Sequence, residues 1–283
     1  HRRRHSFPTR RSSDLSNVEM MVAIGEAGAL GVFPSLNFRP PDAFRAALRE
    51  IRNRTSAPVG VNIIVNKSNP RLMTDLTIAA EEKVPFFITS LGSPKPVIEA
   101  ARKSGAKVYC DVINLEHALK AQALGADGVI AVGAGAGGHA GPISPLVLIP
   151  WLKKHLKIPV VAAGGIADGR GLASCLALGA QAVSVGTRFI ASTEAKVQQD
   201  YKDAIVGASP EDIVMTTKVS GTPAAVIKTP YIEKMGLDLP WYMKQLKNHP
   251  TTKKYVVPLI HYLGSKALEK AATQATWKTV WSA

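Results

Sequence analysis

Cysteine is nearly absent from this 283-residue chain, which holds only Cys110 and Cys175. The two share no C-x-x-C spacing, so a disulfide framework, a thiolate metal centre and a thioredoxin-type motif are all excluded. Each sits in an apolar run and reads as a buried, reduced thiol of a cytoplasmic protein, and no metal site is expected. Long apolar runs are missing too, and nothing approaches the roughly 18 residues of a membrane span. Acidic residues are in deficit, 21 against 35 Lys and Arg, giving a formal charge of +14. Residues 1–15 carry +4 of this, residues from Lys228 onward +6, and the body between them +4. No basic recognition helix or RNA-binding signature accompanies the excess, so the lysines read as a solvated face and nucleic acid is not an expected partner.

The first residues, running into HSFPTRRSSDL, have neither an apolar core nor a small-residue cleavage site, and Pro8 interrupts any amphipathic helix. Back-translated, the segment resembles a common short-read sequencing adapter. Residues 1–15 are therefore expected to be adapter-derived, disordered and outside the fold.

What is present is an apolar content of 46% with 23 Gly and 19 Pro, the composition of a loop-rich globular chain. Strands are expected over 29–35, 58–65, 84–90, 107–112, 128–133, 159–165 and 182–189. Helices are expected over 17–27, 41–55, 70–82, 94–104, 114–124, 145–155 and 169–178, with another from Thr193 to about Ile205. Pro41-Asp42 and Asn114 supply helix starts, and Gly-Ala pairs at 105, 125 and 179 supply left-handed stops. Runs such as VGVNIIV and PVVAAGG are apolar on both faces, as in parallel strands covered on both sides. Strict alternation predicts an α/β fold. An open doubly wound sheet and a (β/α)8 TIM barrel compete. Eight helices against seven strands favour a barrel whose first strand is missing, with the adapter standing in its place. The expected domains are a barrel over 16–227, containing strands two to eight, and a helical extension over 228–283. That extension holds seven of the ten Trp and Tyr residues, including Trp241, Tyr242, Trp277 and Trp281. It reads either as a satellite hydrophobic cluster or as a lid over the site.

Chemistry concentrates in GVIAVGAGAGGHAGP, residues 128–142. Gly133-x-Gly135-x-x-Gly138 follows a strand, but Pro142 and Pro145 prevent it from opening directly into a helix, so a dinucleotide loop is rejected. The glycines instead let backbone approach a flat ligand and present His139 at the C-terminal end of a strand, the catalytic face of a barrel. A lone histidine is usually structural; one in a five-glycine loop at that face points to a ligand. Glycines at 164, 165 and 186, with Thr187, end the last two strands, where backbone N–H groups suit a phosphate. The alternative is that they only make tight turns.

GAGGHAGP followed by PVVAAGGIADGRGLASCLALGAQAVSVGTRFIAS resembles the nitronate monooxygenase (2-nitropropane dioxygenase) family, to which FMN-dependent enoyl-ACP reductases are related. PVGVNIIV resembles the family's third-strand signature, and the likeness is strong from Asn17 to Ser192. It implies an FMN-binding TIM barrel in which Asn62 touches the flavin. Gly137, Gly138, Gly164, Gly165, Ser184, Val185, Gly186 and Thr187 hold the cofactor, mainly through its phosphate, and His139 is the active-site histidine. The implied reaction is oxidation of an alkyl nitronate or nitroalkane by O2 to a carbonyl compound and nitrite. Two departures stand out: Val132 and Ser184 occupy positions where the family usually has Gln. The family also continues past TVWSA, so a C-terminal truncation is expected. Alternatives on the same scaffold are an enoyl-ACP reductase, an NAD(P)H:quinone reductase and a non-catalytic flavin-binding paralogue. A phosphate-binding isomerase without flavin is a further one.

Overall fold

A computed structural model describes residues 15–66, 69–218 and 223–249, together with 252 and 256. The adapter reading of residues 1–14, and the tail aromatics Trp277 and Trp281, lie outside the described residues. The chain opens with α1 (Val18–Glu26), β1 (Gly31–Pro34), α2 (Pro41–Arg54), β2 (Val59–Ile64), α3 (Leu72–Glu81), β3 (Phe86–Ser90), α4 (Lys95–Ser104) and β4 (Lys107–Val112). It continues through α5 (Leu115–Leu124), β5 (Gly128–Val132), β6 (Gly138–His139), α6 (Pro145–His155), β7 (Val160–Ala163), α7 (Gly169–Ala177), β8 (Ala182–Ser184) and α8 (Thr187–Ile190). Last come α9 (Gln199–Gly207), β9 (Ile213–Thr216), β10 (Ala224–Ile227), α10 (Pro230–Met235) and α11 (Trp241–Asn248). No helix among the described residues is long and apolar enough to cross a membrane.

Two compact units emerge. The described part of the first is residues 15–66, 69–135 and 141–197; that of the second is residues 136–140, 198–218 and 223–249, with 252 and 256. Residues 198–227, grouped with the barrel in the sequence reading, cluster with the segment that follows them. The first unit is a curled, wholly parallel seven-stranded sheet in the order β1-β2-β3-β4-β5-β7-β8, its strands alternating with helices as in a TIM barrel. Its core is the helix-facing side of the strands: Val61, Ile63, Phe87, Val108, Cys110, Val112, Val129 and Val160 pack with Leu48, Ile51, Ile78, Val97, Ile98, Leu148 and Leu152. Alternate residues point to the other, concave face, because successive side chains of a strand point to opposite sides.

The local signals act as expected. Pro41 opens α2, and the Asn114 carboxamide accepts the N–H of His117 at the start of α5. Gly105 and Gly125 end α4 and α5 at φ +73° and +89°, in the left-handed region that side chains disfavour. Most boundaries fall within two residues of expectation, and two differ by more. The expected strand over 182–189 stops at Ser184 and the chain turns into α8, because a short apolar run does not by itself distinguish strand from helix. The expected helix from Thr193 starts only at Gln199. Residues 193–197 are instead held to the start of α1: Asn17 Nδ2 donates to the Glu194 carbonyl at 2.8 Å, and Lys196 pairs with Glu19 at 3.0 Å.

The second unit contains a three-stranded antiparallel sheet, β6-β10-β9, that the sequence reading did not foresee. Ala224 and Ala225 of β10 pair with His139 and Gly138 on one side and with Thr216 and Met215 on the other. All four residues of β10 are buried.

Candidate active site

In a parallel β/α sheet the C-terminal strand ends carry the site, since the βα loops gather there. Asn62, near the end of β2, is half-buried on the concave face. Beside it lies Ser90, the last residue of β3, whose Oγ is 3.2 Å from Asn62 Oδ1 and 2.6 Å from Asp111 Oδ2 on β4. This three-strand polar chain stands among Ile64, Ile88 and Ile130 of the same face. Asp111 reaches solvent, yet protein crowds it on nearly every side, as on the inside of a curled sheet. That crowding pushes its pKa up to about 6, against a hydrogen bond from Ser90 that pulls it down.

A carboxyl near pKa 3.9 in the unfolded chain and near 6 in the folded one binds more protons when folded. Its stabilising contribution is complete below pH 4 and is lost as pH rises through 6. Asp111→Asn is therefore expected to gain thermal stability relative to the parent at pH 8 and not at pH 4. Paired melts at the two pH values check this, and equal differences at both would refute the assignment.

On the β5 side, the glycine loop is fixed by contacts that exclude a Cβ. At Gly133 a Cβ would stand 2.6 Å from Pro145 Cγ, and at Gly141 it would collide with the Val132 carbonyl. At Gly135 it would stand 3.1 Å from Gly165 N and 3.2 Å from Gly165 Cα, so the loops after β5 and β7 meet backbone to backbone. Gly164 and Gly165 lie at φ +110° and +72°. A Cβ at Gly186 would meet nothing within 4 Å, and Gly165 and Gly186 are exposed while Ser184, Val185 and Thr187 are half-buried. Exposed glycine backbone at neighbouring strand ends fits a phosphate, since its N–H groups are unshielded by side chains. Val132 and Ser184 flank Ala163 in register, which brings the two side chains onto one stretch of concave wall.

Asn62, Gly164, Gly165 and Ser184 to Thr187 thus belong to the first unit. Gly137, Gly138 and His139 belong to the second, where the exposed His139 ends the two-residue β6. Ser90 and Asp111 escaped the sequence reading. Their signal was a lone carboxylate in the otherwise apolar end of KVYCDV. Among the described residues no group of three or more His, Cys, Asp or Glu is placed to hold a metal ion.

The model of the nitronate monooxygenase family matches residues 70–276. This chain belongs to the nitronate monooxygenase family. It is 33% identical over 224 residues to the (3aS,4S,5R,7aS)-5-hydroxy-7a-methyl-1-oxo-octahydro-1H-indene-4-carboxyl-CoA dehydrogenase of Mycobacterium tuberculosis, covering 78% of this chain and 62% of that protein. The chain thus spans about 60% of the length of such curated relatives. Among solved structures it is similar to FabK of Thermotoga maritima, with TM-score 0.72, 37% identity and coverage of 84% of this chain and 73% of that one. It is also similar to the nitroalkane oxidase of Streptomyces ansochromogenes, with TM-score 0.73, 26% identity and coverage of 80% and 77%.

Proposed function

We propose that the chain is an FMN-dependent oxidoreductase that oxidises alkyl nitronates or nitroalkanes with O2 to a carbonyl compound and nitrite. The observation that carries the flavin reading is the bare backbone approach of Gly135 to Gly165 beside the open Gly186. In this reading Gly137, Gly138, Gly164, Gly165, Ser184, Val185, Gly186 and Thr187 hold FMN, and Asn62 meets its ring. Bound flavin supplies the electron transfer between substrate and O2. His139 removes the proton α to a nitro group or orients the anionic nitronate, tasks that suit an imidazole near neutral pH. The free, buried thiols Cys110 and Cys175 suit a reducing, cytoplasmic setting. The family membership supports this choice of substrate.

A second reading takes the dehydrogenase relative as guide: reduction or dehydrogenation of an acyl thioester, on the same flavin. The wall at Val132 and Ser184 favours it, because a smaller and less polar surface there admits a bulkier apolar substrate. Purified chain loaded with FMN separates the readings. Nitrite release from a propyl nitronate supports the first. NAD(P)H oxidation with an enoyl thioester or a quinone, and no nitrite, supports the reductase class. Flavin binding without either activity identifies a non-catalytic paralogue.

The cradle has its own test. Gly135→Ala drives a Cβ against Gly165 backbone that has no flexible end to yield. FMN affinity is expected to fall about tenfold, ~1.4 kcal/mol, with the far-ultraviolet circular dichroism unchanged. Equilibrium titration by flavin fluorescence reads the loss.

A further inference from the structure

Ser90 has one hydroxyl proton and two oxygen neighbours, Asp111 Oδ2 at 2.6 Å and Asn62 Oδ1 at 3.2 Å. It cannot donate to both. Two arrangements satisfy all three groups. With Asp111 ionised, Ser90 donates to the carboxylate, and the Asn62 amide turns so that Nδ2 donates to Ser90 Oγ. Asn62 then offers its carbonyl elsewhere. With Asp111 protonated, the carboxyl donates to Ser90, Ser90 donates to Asn62 Oδ1, and Asn62 offers its N–H2. The two ends of an amide have nearly the same shape, so the turn needs no rearrangement of the surrounding side chains.

We propose that Asp111, acting through Ser90, decides whether Asn62 presents a hydrogen-bond donor or an acceptor to the flavin ring. The inference rests on the flavin reading above for its ligand. Asp111 and Ser90 are positioning residues here, and neither is assigned contact with substrate. The isoalloxazine rim is mostly acceptors, two carbonyls and ring nitrogens against one N–H, so the donor form of Asn62 is the binding form.

Other ionisable groups leave this assignment to Asp111. From β3 (FFITS) and β5 (GVIAV), the strands on either side, no ionisable side chain faces it. On β4 itself, Tyr109 shares the concave face, and Cys110 points to the helix layer with its thiol raised by burial. Lys107 and Asp127 pair with each other at 2.8 Å at the opposite end of the strand. The crowding that raises the Asp111 pKa to about 6 makes both proton states accessible near neutral pH.

The experiment compares FMN dissociation constants of the full chain and of Asp111→Asn between pH 5 and 8. Asn at 111 always has an N–H for Ser90, so it mimics the protonated state. The FMN phosphate also titrates near pH 6, but it does so in both proteins and cancels in their ratio. The two affinities are expected to agree at pH 5, and the variant is expected to bind about tenfold tighter at pH 8. A ratio that does not change with pH overturns the proposal. A flavin-free measurement accompanies it, the side-chain amide 15N shift of Asn62. That shift is expected to titrate with Asp111 in the parent chain and to lose that step in Ser90→Ala; an Asn62 signal flat across pH overturns the proposal regardless of flavin. If the Asn62 step appears but no variant binds FMN at any pH, the switch stands and the flavin reading fails.

Discussion

His139→Ala is expected to lower turnover by about 10²–10⁴-fold, the range set by loss of a positioned acid or base, while FMN stays bound. The fold has little reason to respond. His139 is exposed, and its place in the β6-β10-β9 sheet depends on backbone pairing opposite Ala224, which alanine also provides. The cradle glycines at 164, 165 and 186 belong to the other compact unit and keep their sequence. Nitrite release under saturating nitronate, measured beside flavin absorbance of the same preparation, reads both parts of the expectation. Unchanged turnover removes His139 from the chemistry, and loss of flavin together with turnover assigns it to cofactor binding instead.

The largest stability effect is expected at Asp75, a residue with no proposed role in cofactor binding or chemistry. Its carboxylate is fully buried in the first turn of α3 and accepts from Ser35 Oγ at 2.7 Å and from Arg71 Nη2 and Nε at 2.8 and 3.1 Å. Arg71 in turn donates to the Phe38 carbonyl at 2.8 Å, so one acid ties the segment after β1 to α3. Asp75→Ala leaves a largely buried guanidinium without its counter-charge and a buried Ser35 hydroxyl without its acceptor. The expected cost is ~3–5 kcal/mol, the range for breaking one side of a buried pair. Urea unfolding checks it, and a loss below ~1 kcal/mol would show that the network relaxes around the gap. Asp75→Asn keeps acceptor capacity and is expected to cost less.

The parts of the fold that were legible in the sequence rest on local physics. Alternation of apolar runs with Pro41, Asn114 and the Gly105 and Gly125 stops gives elements whose ends are set by neighbouring residues. The β6-β10-β9 sheet was hidden because β6 is two residues long and β10 reads AAVI, too short for either period to register. The late start of α9 is not legible locally, because Asn17, distant in sequence, takes up the Glu194 carbonyl. At the site, Asn62 and the glycines stood out by motif. Ser90 and Asp111 did not, since their meaning comes from cross-strand register: Thr89 pairs with Cys110, which sets Ser90 beside Asp111. Only the folded pairing turns a serine and an aspartate 21 positions apart into one proton-sharing group.

The path of the chain through its two compact units limits how the protein can be recombined. The polypeptide crosses between them after Gly135, after Ala140 and after Val197. A crossover or proteolytic cut near residue 197 would therefore carry away β9 and β10 but leave Gly138 and His139 behind without the strand they pair with. Exchange of C-terminal halves between relatives, a common way to transplant specificity, would separate the histidine from its backbone support. A functional chimera must take residues 136–140 together with everything from 198 onward, as one inheritance in two pieces.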